Sequence, residues 1–192
     1  MTEAAILAIF EETGALLSGH FILTSGLHSK QYFQCAQVLK HPDLAEKLCA
    51  EIARNFAAGG VELVVAPAVG GIIVAHEIAR ALGVPALFTE REDGTMTLRR
   101  GFEIRPGQRV LVAEDVITTG GSVKEVIALV KKAQGEVVGV GCLLDRSGGS
   151  VALEVPYKPL LSLQIKTYAP DDPDLKKLGP AVKPGSRSRA NG

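Results

Sequence analysis

Residues 110–123 read VLVAEDVITTGGSV, and the organisation of the whole chain turns on this stretch. Val110 to Ala113 form an aliphatic run of the kind buried in a parallel sheet. Two acids follow, Glu114 and Asp115, and then a joint of small and hydroxylated residues, Thr118, Thr119, Gly120, Gly121 and Ser122, where a helical pattern begins. At such a joint, backbone N–H groups and hydroxyls meet an anion at the positive end of the helix, and the glycines allow the backbone angles of a phosphate nest. Taken alone, a glycine turn or a pair of helix-capping acids is ordinary chain-turning chemistry. Together they describe a ribose 5-phosphate cradle, with carboxylates for the sugar hydroxyls and a nest for the phosphate. No Gly-Lys-Ser/Thr triplet makes the loop a Walker motif, and no GxGxxG makes it a dinucleotide fingerprint.

Outward from this point the same unit repeats. Glu62 to Ala66 is a β-branched run followed by Pro67-Ala-Val-Gly-Gly71 and a helical stretch over 72–82; Pro85 to Thr89 and Val137 to Leu144 add further strands. Pro42 opens a helix in which Leu44, Leu48, Ile52 and Phe56 recur every four residues until Gly59-Gly60. Strands alternating with crossover-length helices predict an α/β fold, a doubly wound and mainly parallel sheet whose ligands bind beyond the carboxyl ends of its strands. Before this core, residues 1–17 read as an amphipathic helix and 19–39 as strand, turn, strand. Residues 90–107 have two turn signals, four basic residues and little to bury, which predicts a hairpin or mobile lid. The expected organisation is one domain over 1–178, with a core over 41–149, a small hood from 1–40 and 150–178, and a flexible tail over 179–192.

Composition narrows the function classes. The chain has 192 residues, 46% hydrophobic, with 21 basic and 21 acidic side chains and formal net charge +0, so it can bury a core unaided and is a poor general nucleic-acid binder. Phosphate recognition must be local. Cys35, Cys49 and Cys142 match no metal spacing and suit reduced thiols in the cytoplasm. The first residues carry Glu3, Glu11 and Glu12 without a basic leader, unlike a secretory signal, and the most apolar run, 61–75, is broken by Glu62, Pro67 and Gly70-Gly71.

The 110–123 stretch resembles the phosphoribosyl-diphosphate motif of the type I phosphoribosyltransferases. GHFILTSGLHSKQYF at 19–33, APAVGGIIVA at 66–75, MTLRRGF at 96–102 and LLDRSGG at 143–149 look like the orotate-specific branch of that family. The resemblance covers most of residues 15–150. It implies a hood-and-core fold with a flexible lid, a homodimer whose lid closes over the neighbouring site, and Mg²⁺ held mainly by the substrate and through water by Asp115. It implies transfer of phosphoribose from phosphoribosyl diphosphate to orotate; acceptance of a purine or other base, or a non-catalytic sensor of the same ligand, are the competing expectations.

Carried over by position, Glu114 and Asp115 take the ribose hydroxyls, Thr118 to Ser122 the 5-phosphate, and Ala68, Val69, Gly70 and Gly71 the pyrophosphate. Arg146 and Thr118 take the orotate, with His28, Lys30 and Phe33 beside it, Tyr32 and Phe33 being either core or a stacking wall. Asp115, Arg99 and Arg100 are the expected catalytic residues, and Arg91 is a further pyrophosphate cation. The sequence departs from the family in its cations: His28, then Lys30, stand where many members carry a first-motif lysine, and Gly70 stands where many carry a lysine in the pyrophosphate loop.

Overall fold

A computed structural model of the chain describes residues 1–23 and 25–184. Its centre is a six-stranded sheet built from β3 (Leu63–Pro67), β4 (Ala86–Glu92), β5 (Thr95–Leu98), β6 (Arg109–Ile117), β7 (Glu136–Asp145) and β8 (Tyr157–Ser162), in the order β5-β4-β3-β6-β7-β8. All neighbours are parallel except β5, which turns back antiparallel on β4 as the expected hairpin. Helices α3 (Pro42–Phe56) and α4 (Gly71–Leu82) cover one face and α5 (Gly121–Lys132) the other. Strand alternation divides the core between them. Val64, Ala66, Leu111 and Ala113 pack with Leu48, Ile52 and Ile78 on one side, while Leu63, Val65, Val110 and Val112 pack with Val126, Ile127 and Val130 on the other.

The N-terminal segment differs from its expected form. Helix α1 (Glu3–Glu12) begins at Thr2, whose hydroxyl accepts from the Ala5 amide, and ends well before residue 17. Gly14 adopts φ +69°, and Leu16 and Leu17 instead open β1 (Leu16–Ile22), paired antiparallel to Phe33 and Tyr32 of β2 (His28–Phe33). The backbone ladder overrides the helical spacing of the two leucines. Likewise residues 36–39 are not strand but a short helix, α2 (Ala36–Leu39), which buries Val38 and Leu39. With β9 (Thr167–Tyr168), β1 and β2 form a separate three-stranded sheet.

Two boundaries also move. Residues 157–162, expected in the hood, are the edge strand of the main sheet, because Leu161 is buried and the backbone pairs with β7 from Val140 to Asp145. Residues 179–182, expected in a flexible tail, lie along β1: the Ile22 amide donates to the Val182 carbonyl and the Val182 amide to the His20 carbonyl, both at 2.8 Å. Residues 183 and 184 follow them, and the remainder of that expected tail, residues 185–192, lies outside the described residues. Among the described residues no helix is long and apolar enough to cross a membrane.

Candidate active site

β6 runs beyond its aliphatic core to Ile117, because pairing with β7 continues as far as Ile117 opposite Asp145. Glu114 and Asp115 therefore sit within the strand rather than after it. Glu114 is only 8% exposed, and burial, with the adjacent Asp115 charge second, pushes its carboxyl up to about 9. Its Oε1 accepts from the Asp115 amide at 3.1 Å, while Asp115 Oδ1 accepts from the Val116 amide at 2.9 Å.

The turn between β3 and α4 lies against these acids. Ala68 is tied to the Thr89 carbonyl of β4, Val69 is 81% exposed, and Gly70 and Gly71 abut the carboxylates: a Cβ on Gly71 would stand 3.2 Å from Glu114 Oε1, and one on Gly70 would collide with Asp115. The fold thus brings the expected pyrophosphate turn and ribose acids together across the β3–β6 pair.

After Ile117 comes the turn on which the phosphate nest is expected. Thr118 to Ser122 line a small cavity of about 70 Å³ together with Glu114, and Gly120, at φ +75°, leads directly into α5. Four or so free N–H groups at the start of this helix face whatever fills that cavity. Thr118 and Thr119 are shared with a second cavity of about 440 Å³, which Ile22, Ser25, Tyr32, Arg146 and Thr167 also line. A larger cavity of about 620 Å³ lies between β5 and α5, but Met96, Leu98, Ala128 and Leu129 make it mainly apolar, and none of the expected substrate-binding residues reaches it.

Arg146 is the distinctive feature of the second cavity. Its amide donates to the Ile117 carbonyl at 2.8 Å, fixing it beside the end of β6, yet its Nε is buried without a hydrogen-bond partner among the described residues. Burial draws the guanidinium below its ordinary value. A desolvated guanidinium nitrogen without a partner is costly to a free protein and awaits an anion. Asp145, fully buried, shapes the turn that presents it by accepting from the amides of Ser147 at 2.8 Å and Gly149 at 3.0 Å and from the Ser162 hydroxyl at 3.1 Å. Asp145 was not singled out from the sequence, although an aspartate two residues before a serine and three before a glycine is a side-chain turn signal.

Other expected contacts are not assembled here. Phe33 is core, edge-on to Phe10 at 6.0 Å, and it is Tyr32 that lines the cavity. His28 is buried against His20, Nδ1 to Nε2 at 2.6 Å, and Lys30 pairs with Asp174 at 3.7 Å over the Tyr168 ring. Neither lines the cavity with Arg146. The hairpin arginines are tied to acids of their own chain: Arg91 to Glu125 at 2.8 Å, Arg99 to Glu92 at 3.5 Å and Arg100 to Glu90 at 3.0 Å. They line neither of the two cavities next to Thr118 and Thr119. Cys35, Cys49 and Cys142 are all buried free thiols, and no cluster of three or more metal-ligating side chains occurs among the described residues.

Comparison with known proteins agrees with this geometry. A family model described as phosphoribosyl transferase domain matches residues 34–176. The orotate phosphoribosyltransferase of Pelotomaculum thermopropionicum is 61% identical over 188 residues, covering 97% of this chain and 99% of that protein. That of Desulforamulus reducens is 59% identical over 188 residues, covering 97% and 98%. Among solved structures, orotate phosphoribosyltransferase from Aeropyrum pernix superposes with a TM-score of 0.70 at 26% identity, over 82% of this chain and 93% of that one. With a glycine turn, paired acids and an arginine whose Nε has no partner among the described residues, and with 61% and 59% identity to these relatives over 97% of its length, the chain belongs to the orotate phosphoribosyltransferase family.

Proposed function

We infer that the chain transfers the 5-phosphoribosyl group from phosphoribosyl diphosphate to orotate, giving orotidine 5′-monophosphate and pyrophosphate in the synthesis of pyrimidines. The observation that carries this reading is Arg146: its buried, partnerless Nε lies in a cavity that shares Thr118 and Thr119 with the phosphate nest. A planar carboxylate on the acceptor base supplies the anion this fork lacks. A purine acceptor has no carboxylate to satisfy it.

The chemistry is a substitution at the ribose C1. The bond from C1 to the pyrophosphate oxygen breaks as the bond from C1 to an orotate ring nitrogen forms, and the ribose passes through an oxocarbenium-like state. Asp115 and the largely neutral Glu114 hold the ribose hydroxyls, Thr118 to Ser122 anchor the 5-phosphate, and the turn Ala68 to Gly71 receives the pyrophosphate. Held at both ends, the sugar presents C1 to a base fixed by Arg146, so positioning supplies much of the acceleration. The nitrogen attacks as an anion, and no general base is required.

The donor set fits Mg²⁺ arriving on the substrate: two oxygen-bearing acids, Glu114 mostly protonated, and no cage of three or more ligands among the described residues. Asp115 would hold it through water, and the ion would neutralise charge on the departing pyrophosphate. We assign the active form as a homodimer in which the β4–β5 hairpin, with Arg99 and Arg100, covers the neighbouring subunit's site, since within one chain those arginines face their own acids. Loss of orotate absorbance with phosphoribosyl diphosphate and Mg²⁺ tests the activity. Consumption of adenine or hypoxanthine in place of orotate would overturn it.

A further inference from the structure

The cavity that holds Arg146 has an outer wall supplied by the far end of the chain. Lys183 and Pro184 line it, together with Ile22, Leu23 and Ser25 from the first sheet. The two residues are delivered there by three contacts. The Ile22 amide donates to the Val182 carbonyl, the Val182 amide donates to the His20 carbonyl, and His20 Nδ1 lies 2.9 Å from the Gly179 carbonyl. That last contact requires the proton on Nδ1; in the neutral ring His20 Nε2 then accepts from His28 Nδ1 at 2.6 Å, and the buried His28 braces the anchor. Beyond Val182 the course of the chain is constrained as well, because a residue preceding proline is held extended. Lys183 therefore continues the strand-like run at the rim of the cavity, where it lines the space while remaining exposed to solvent.

The electrostatics of the lining then give this lysine a role. Arg146 and Lys183 are its two cations, and no carboxylate is among the described residues that form it. The other C-terminal lysine near this sheet, Lys166, is paired with Asp174. Two like charges on one small cavity, one of them with a partnerless buried nitrogen, are an unfavourable arrangement in a free protein and become favourable when an anion sits between them.

We propose that Lys183, held by the strap of residues 179–184 along β1, is a second cationic contact for the orotate acceptor and raises the selectivity of the site for an anionic base. The proposal rests on the orotate reading given above. It also accounts for the first sheet's histidines, which anchor the strap and do not line the cavity. A lysine at this mouth replaces the positive charge that the sequence led one to seek at His28 and Lys30.

The test is steady-state kinetics on the full-length chain carrying Lys183→Ala, Lys183→Gln, Lys183→Arg or Lys176→Ala, with thermal melting to confirm the fold. Lys183→Ala and Lys183→Gln raise KM for orotate about tenfold, the loss of one charge-assisted contact, and leave KM for phosphoribosyl diphosphate within about twofold. Lys183→Arg keeps KM for orotate near wild type. Lys176→Ala, which removes an exposed C-terminal charge outside the cavity, changes neither constant. Val182→Pro, which deletes the amide that donates to His20, raises KM for orotate as Lys183→Ala does. An unchanged KM for orotate in Lys183→Ala, an equal rise for both substrates, or the same rise in Lys176→Ala overturns the proposal while the orotate reading stands. A wild-type chain that does not consume orotate overturns both.

Discussion

The Asp115 carboxylate occupies the space that a side chain on Gly70 would need: a Cβ built on Gly70 falls 2.6 Å from Asp115 Cγ. The turn proposed for pyrophosphate and the acid proposed for the ribose are therefore one packed unit, although 45 positions separate them in the chain. Gly70→Ala forces Asp115 off the backbone contact that fixes it, and KM for phosphoribosyl diphosphate should rise about tenfold or more while the melting temperature changes little. Initial-rate kinetics with each substrate varied in turn check this; a wild-type KM would mean that Asp115 has room to move without consequence.

Glu114 links the site to pH. Its folded-state pKa, pushed up to about 9 by burial and then by Asp115, exceeds its unfolded value near 4.5, so the folded state binds the extra proton between those limits. This contribution to stability is fully present below the unfolded value and is lost as pH rises through about 9. Glu114→Gln removes it. Urea unfolding of the free protein from pH 6 to 9 should show wild type losing stability relative to Glu114→Gln by up to about 1.4 kcal/mol per pH unit. A constant difference between the two would place the ionised form in the folded site.

Arg146→Ala separates binding from folding. The Arg146 Nε has no hydrogen-bond partner among the described residues, so removing the guanidinium gives up no bond at that atom and the melting temperature should change little or rise. KM for orotate should increase about 100-fold, with a much smaller change for phosphoribosyl diphosphate. Equal effects on both substrates would make Arg146 a structural residue.

Gly120 sits at φ +75°, and a Cβ there would stand 2.9 Å from Val151 Cγ1. Gly120→Val meets both the backbone penalty and the clash and closes the nest. Calorimetric titration with phosphoribosyl diphosphate should show no binding. Heat of binding equal to wild type would count against a phosphate site at this loop.

Subunit mixing tests the shared lid. Asp115→Asn and the Arg99→Ala, Arg100→Ala double variant should each be nearly inactive alone. After exchange, heterodimers carry one site with an intact lid and an intact ribose acid, and an equal mixture should regain about a quarter of wild-type activity. A mixture as inactive as its parents, with exchange verified by mass, would show that the hairpin serves its own chain.

The βα alternation, the glycine turn after β6 and the acid pair ahead of it were legible in the sequence, because each is written in contiguous residues whose periodicity and backbone chemistry act locally. Val110 to Ser122 carries strand, acids, turn and helix start without reference to any other part of the chain. The extension of β6 to Ile117 was not legible, since it is pairing with β7 that keeps acids and threonines in a strand. Nor did local spacing tell that Leu16 and Leu17 leave the first helix for β1, where Phe33 and Tyr32 supply their partners. Only the tertiary structure decided which cations line the cavity proposed for the acceptor. The sheet order sets Arg146 beside Thr118, and backbone bonds to His20 and Ile22 bring Lys183 across more than 150 positions to the same cavity, while His28 and Lys30 are turned into the hood's own contacts. Charge type can be read from a single residue, but the direction in which a charge is presented depends on backbone hydrogen bonds between distant segments, which no local pattern records.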